Sequence, residues 1–185
     1  MRKTFREMFK VGNATKAYPF APLDVPEDSR GKPKYVAEKC ICCAACAIAC
    51  PPNAIQVHPD IVNGLISWEI DFGRCIFCGR CEEVCPTRAI WLTQEFELAV
   101  MKKEDLYESA EFKLEACSCC GKYFAPRKQI DYVERLYESM HPQLELLADA
   151  DKKAAKDLLH LCPECKRKQD GIISGQVEIH RRVQS

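Results

Sequence analysis

The sequence has no net charge to offer, because its 27 lysines and arginines are matched by 27 aspartates and glutamates. It therefore lacks the surplus of one sign that would draw nucleic acid or anionic lipid to the whole chain. It also lacks any apolar run near the ~20 residues needed to cross a bilayer. Charges interrupt the opening stretch Met1–Lys10 at every third or fourth position, so it does not read as a secretory signal. The expected compartment is a reducing cytoplasm, where disulfides seldom persist. Histidine is scarce, and His58, His141 and His180 show no partner pattern. The length suits one domain or two small ones, at roughly 100–150 residues each.

What the sequence holds in excess is cysteine, fourteen in 185 residues. In a reducing compartment that enrichment points to metal. The run Cys40-x2-Cys43-x2-Cys46-x3-Cys50-Pro51 recurs 35 residues later as Cys75-x2-Cys78-x2-Cys81-x3-Cys85-Pro86. The copy extends beyond the cysteines, with Ala54-Ile55 matching Ala89-Ile90 and Lys39 matching Arg74. Two short intervals let a loop bring three thiolates onto one face of a cubane, while the proline fixes the fourth cysteine in a turn that points elsewhere. This is the spacing of two-cluster bacterial ferredoxins, in which the fourth cysteine of each run ligates the other cluster. The expected sets are Cys40, Cys43, Cys46 and Cys85 on a first [4Fe–4S] cluster, with Cys75, Cys78, Cys81 and Cys50 on a second. A disulfide framework or plain zinc binding is the alternative, and the repeat and the compartment weigh against it. Cys42, whose counterpart is Phe77, reads as a small buried hydrophobe.

Cross-ligation would make residues 35–92 one ferredoxin-like domain with pseudo-twofold symmetry. Ile55-Gln56-Val57, Ile66-Ser67-Trp68-Glu69-Ile70 and Ile90-Trp91-Leu92 fit its strands, and Asn63-Gly64 marks a turn between the halves. Small apolar residues around the first run suggest a dry shell and low potentials.

A third group pairs Cys117 and Cys120 with Cys162 and Cys165, with 41 residues between Cys120 and Cys162. Two such knuckles suit one tetrahedral ion, a structural zinc or a rubredoxin-type iron. Cys119 reads as a bystander, and His160 as a possible substitute ligand. The insert is expected to be helical from the spacing of Ile130, Val133, Leu136, Tyr137 and Met140 after Pro126, with Leu158, Leu159 and Leu161 continuing an apolar face.

The whole is thus expected to be α+β: an N-terminal amphipathic helix and extended docking arm (1–34), the two-cluster domain (35–92), an acidic connector (93–116), the four-cysteine module (117–168) and a tail (169–185). Met1, Phe5, Met8 and Phe9 share one face of a helix ended by Gly12. Tyr18–Pro26 carries three prolines and should be extended. Residues 1–34 hold eight basic and four acidic groups and 91–116 seven acidic and three basic, so the zero sum conceals opposite poles.

Several segments together resemble a known family: Gly12-Asn13-Ala14-Thr15, Tyr18-Pro19, Arg30-Gly31-Lys32-Pro33, the second run through Thr87, Phe96-Glu97-Leu98, Phe124-Ala125-Pro126 and Cys162-Pro163-Glu164-Cys165-Lys166. They look like the ferredoxin-type subunit of formate hydrogenlyase and related membrane-bound [NiFe] hydrogenases, itself similar to the two-cluster subunit of respiratory complex I. The resemblance implies a non-catalytic relay on the cytoplasmic face of the inner membrane. Its partners would be an iron–sulfur subunit of a formate dehydrogenase module, the small and large hydrogenase subunits, and membrane-arm subunits reached through the N-terminal segment. A complex I-type or carbon monoxide dehydrogenase-linked hydrogenase relay subunit, a free soluble ferredoxin, and a zinc-dependent interaction or nucleic-acid protein are the rival readings. The acidic stretch before Cys117 weighs against nucleic acid.

Overall fold

The repeat of the sequence is a repeat of the backbone. In the computed structural model, which describes residues 2–11, 16, 18–140 and 156–168, β1 (Pro33–Tyr35) pairs antiparallel with β4 (Ile90–Leu92), and β2 (Ile55–Asp60) pairs antiparallel with β3 (Leu65–Asp71). Tyr35 faces Ile90 as Ile70 faces Ile55, and Pro33 faces Leu92 as Trp68 faces Val57. Subtracting 35 carries β4 onto the start of β2, Ile70 onto Tyr35 and Trp68 onto Pro33. The cysteine runs lie between these pairs, with the short helices α2 (Ala45–Ala49) and α3 (Arg80–Glu83) at matching places. Asn63-Gly64 closes the β2–β3 hairpin. Gly64 has φ 67°, and a Cβ there would meet the Tyr123 ring at 2.6 Å, so only glycine suits the turn.

The core lies between the two halves. Trp68, Ile55, Ile70 and Ile90 are at most 2 % exposed, and Phe72 and Phe112 join them. Each such side chain contributes about 1.5–3 kcal/mol by leaving water. The three strands expected from the sequence are all present.

The acidic segment differs from its expected role as a connector. Lys103–Leu106 forms a 3-10 turn, and Tyr107–Ala116 is a ten-residue strand, β5, paired along β3 from Leu65 to Asp71. With β6 (Tyr123–Pro126) it completes a four-stranded sheet in the order β2-β3-β5-β6. The cause is strict alternation: Ala110, Phe112 and Leu114 turn toward the core while Glu111, Lys113 and their neighbours face water.

Helix α4 (Arg127–Met140) follows, as its spacing predicts. Its apolar stripe is only partly core, since Ile130 is buried while Leu136 and Met140 are exposed. Lys128 Nζ donates to the carbonyls of Ala37 (2.9 Å) and Glu38 (3.3 Å) and sits over the Phe112 ring, tying α4 to the loop that enters the first run. The remainder of the expected insert, 141–155, lies outside the described residues, as do Gly12–Thr15, His141, His180 and the tail 169–185.

At the N-terminus, α1 (Arg2–Val11) leaves Phe5, Met8 and Phe9 exposed. Among the described residues of the arm, 18–32 form neither helix nor strand. The arm straps the chain's own segment beyond β4: Gly31 N donates to Thr93 O at 2.7 Å, Gln94 Nε2 to Pro26 O and Glu27 O, and the Tyr18 hydroxyl to Glu97.

Candidate metal centres

In each run the loop is held open by residues in the left-handed region at equivalent places: Cys42 and Phe77 (φ 54° in both), Ala44 and Gly79, Asn53 and Arg88. That geometry turns amide N–H groups inward onto sulfur. Cys42 N donates to Cys40 Sγ at 3.3 Å and Phe77 N to Cys75 Sγ at 3.4 Å, while Ala54 N donates to Cys50 Sγ and Ala89 N to Cys85 Sγ, both at 3.2 Å. Such donors stabilise thiolate, the form that binds iron.

The fourth cysteine of each run stands with the other run. Burial pushes the Cys46 thiol up, Trp68 opposes this through a hydrogen bond, and Cys40, Cys43 and Cys85 repel its charged form. Likewise burial raises Cys75, against the Phe77 N–H, and Cys50 and Cys78 add to the rise. Cys81 is pushed up to about 12 by burial, with Cys75 and Cys46 contributing. Cys50, Cys75, Cys78 and Cys81 line one cavity, walled by Pro52 and Ile70. Thiols crowded in apolar surroundings, already offered N–H donors, are a donor set that iron would neutralise. Cys42 is 3 % exposed and burial pushes it up to about 12, so it remains a neutral thiol.

Two aromatic side chains meet the first run in a way the sequence reading overlooked. Trp68, 1 % exposed, donates Nε1–H to Cys46 Sγ at 3.4 Å, and Tyr35 stacks on it with centroids 3.8 Å apart at 13°. The Tyr35 hydroxyl oxygen is buried without a hydrogen-bond partner among the described residues. Its pKa is driven upward by burial and then by the neighbouring Cys40, Cys42 and Cys46. An orphaned donor facing sulfur is what a site built for a sulfide-bearing group presents. No signal in the sequence marks either residue, since the 35-residue repeat sets Trp68 against Pro33 and Tyr35 against Ile70.

The C-terminal four are closer still. The sulfurs of Cys117, Cys120, Cys162 and Cys165 lie within 4.8 Å of one another, the only set among the described residues compact enough for a single ion. Four thiolates at ~2.3 Å from zinc stand about 3.8 Å apart, and Cys120 Sγ lies 3.7 Å from Cys162 Sγ. The first knuckle is the turn joining β5 to β6, with Gly121 at φ 72° donating to Cys117 O. In the second, Cys162 immediately precedes a short helix at 163–168 that carries Cys165, and the knuckle docks by Cys162 N donating to Cys117 Sγ at 3.2 Å. That hydrogen bond is the main reason Cys117 falls to about 6, against its burial. His160 is engaged elsewhere: Nδ1 lies 3.1 Å from Glu115 and Nε2 3.0 Å from Glu134. Cys119 is exposed.

Residues 39–89 match the family of 4Fe-4S dicluster domains. Over 178 residues the chain is 44 % identical to formate hydrogenlyase subunit 6 of Escherichia coli (strain K12), covering 96 % of this chain and 95 % of that one. The chain belongs to the family of formate hydrogenlyase subunit 6. It is thus an iron–sulfur electron-transfer protein. The NAD(P)H-quinone oxidoreductase subunit I of Synechococcus sp. (strain JA-2-3B'a(2-13)) is 42 % identical over 97 residues, 50 % of this chain and 46 % of that one. Among solved structures, a chain of the membrane-bound sulfane sulfur reductase, an archaeal respiratory membrane complex, matches 55 % of this chain and 57 % of its own at 26 % identity and a TM-score of 0.40. No helix among the described residues is long and apolar enough to cross a membrane.

Proposed function

We propose that this chain is the two-cluster relay of a formate hydrogenlyase-type complex, carrying electrons from an iron–sulfur subunit of a formate dehydrogenase module to the small subunit of a membrane-bound [NiFe] hydrogenase. The observation that carries this reading is the extent of the match to formate hydrogenlyase subunit 6. It runs through both C-terminal knuckles, whereas the likeness to the quinone oxidoreductase subunit covers half of the chain.

Bound [4Fe–4S] clusters supply one-electron couples. The protein's part is to hold Cys40, Cys43, Cys46 and Cys85 to one cluster and Cys75, Cys78, Cys81 and Cys50 to the other, excluding water with Ile55, Ile70 and Ile90. The neighbouring of Cys46 with Cys85 and of Cys75 with Cys50 supports this division. Cys117, Cys120, Cys162 and Cys165 hold one zinc, which joins 117–168 into a module beside the cluster domain. The exposed apolar face of α1 docks on membrane-arm subunits, placing the chain peripherally on the cytoplasmic side.

Anaerobic affinity purification of the full chain from its own cells tests the assignment. Expected are co-purifying hydrogenase small and large subunits and a formate dehydrogenase module, with about eight iron and about one zinc per chain. Recovery as a free monomer, or with quinone oxidoreductase subunits, would refute it. Cys50→Ala should destroy the cluster of Cys75, Cys78 and Cys81 and spare that of Cys40, Cys43 and Cys46, and the reverse pattern would refute the crossed ligand sets.

A further inference from the structure

The two halves are alike in backbone donors and unlike in side-chain donors. Every N–H···S bond of one run described above has its counterpart in the other, at distances equal to within 0.1 Å: 3.3 and 3.4 Å, 3.2 and 3.2 Å. Side-chain donors break the symmetry. Trp68 Nε1 reaches Cys46 Sγ at 3.4 Å, Thr87 Oγ1 lies 3.7 Å from Cys85 Sγ, and the unpartnered Tyr35 hydroxyl is buried against the first run. All three converge on the set Cys40, Cys43, Cys46 and Cys85. Strand register and the 35-residue offset give their counterparts as Pro33 for Trp68, Pro52 for Thr87 and Ile70 for Tyr35. All three counterparts line the cavity of Cys50, Cys75, Cys78 and Cys81, and none has a side-chain donor.

We infer that the cluster held by Cys40, Cys43, Cys46 and Cys85 has the higher reduction potential of the two, and that Trp68, Thr87 and Tyr35 are the positioned donors that set the difference. The inference rests on the crossed ligand sets of the proposed function. Reduction adds one electron's charge to a cluster and its thiolate sulfurs, and a hydrogen-bond donor stabilises the more negative state more. Burial amplifies the effect, because no water competes for the sulfur. Charged side chains offset one another or face water: Lys39 and Arg74 occupy equivalent places, Arg80 is paired with Glu83, and Arg30, which donates to Cys78 O at 3.2 Å in the second run, is exposed and screened by solvent. One electron from a low-potential reductant therefore comes to rest on the first-run cluster, and downhill flow runs from the second-run cluster to it.

A mediated potentiometric titration of the full anaerobic chain, followed by electron paramagnetic resonance, tests this. Two one-electron steps are expected. Cys43→Ser, which touches one cluster alone, should change the spectrum of the species reduced at the higher potential. Trp68→Phe should lower the reduced-to-oxidised ratio of that species about tenfold at fixed ambient potential, or about 59 mV for one electron, and leave the other step in place. Tyr35→Phe and Thr87→Val, which remove only a hydroxyl group or exchange it for a methyl, should shift the same step in the same direction. Pro52→Thr should raise the other step. The inference is overturned if Cys43→Ser marks the lower-potential species, if the three donor variants leave the upper step unmoved, or if they move both steps equally. A single step in the unmodified protein with about eight iron per chain would also overturn it, whereas about four iron per chain would instead break the ligand assignment beneath it.

Discussion

Phe112 is the side chain through which the acidic strand β5 holds the cluster domain together. It is 6 % exposed, opposite Ile66 in the register, and covered by the Lys128 ammonium 5.2 Å from its ring centroid. Phe112→Ala would remove a buried ring in contact with the cluster that includes Trp68, Cys40 and Cys81. Truncations of this kind cost about 3–5 kcal/mol when the site cannot collapse, and the cation over the ring adds ~0.5–1 kcal/mol. With a urea slope near 2 kcal/mol/M, the midpoint should fall by roughly 2 M. Anaerobic urea unfolding, followed by loss of the iron–sulfur charge-transfer absorption, reads this directly. Phe20→Ala is the control, since Phe20 is 96 % exposed and a surface change should stay within about 0.5 kcal/mol. A Phe112→Ala midpoint within experimental error of the unmodified protein, with iron fully retained, would refute the view that residues 107–116 belong to the same folding unit as the two runs.

Other outcomes follow from single contacts. Cys165→Ser should abolish zinc while leaving about eight iron, measured on one sample by elemental analysis; joint loss of both metals would show that the two sites fold as one. Cys42→Ala should leave the iron content unchanged, because that thiol is buried and neutral. Gly31→Ala places a Cβ 2.2 Å from Glu95 O, so the strap must lift and break the bond from Gly31 N to Thr93 O. The cost should be about 1–3 kcal/mol, visible as faster proteolysis before β1.

What was legible in the sequence was whatever repeats or alternates in isolation. The eight cysteines and their prolines announced the repeated runs of a dicluster domain, and Ile55, Ile70 and Ile90 announced the strands that bury them. The four knuckle cysteines were legible by spacing, although their closeness depends on a hairpin turn and a docked second knuckle 41 residues apart in the chain. Strand β5 was hidden because its charges were read as a pole, while its alternation of Ala110, Phe112 and Leu114 makes a half-buried strand. Tyr35 and Trp68 were hidden for another reason. Nothing local marks an aromatic residue as a donor to sulfur, and only the pairing of β1 with β4 and of β3 with β2 brings both to Cys40 and Cys46.

The same pairing explains why a duplicated motif need not give duplicated chemistry. Folding constrains the backbone: left-handed φ at Cys42 and Phe77, N–H groups aimed at sulfur, and apolar strands across the middle, all of which are kept in both halves. None of these constraints reaches the residue opposite Leu92 or Val57, provided that it fills its space, and there one half carries Pro33 and the other Trp68. A relay with two equal potentials has no preferred resting place for its electron. Substituting donors at positions that the fold leaves free supplies one, without disturbing a single ligand.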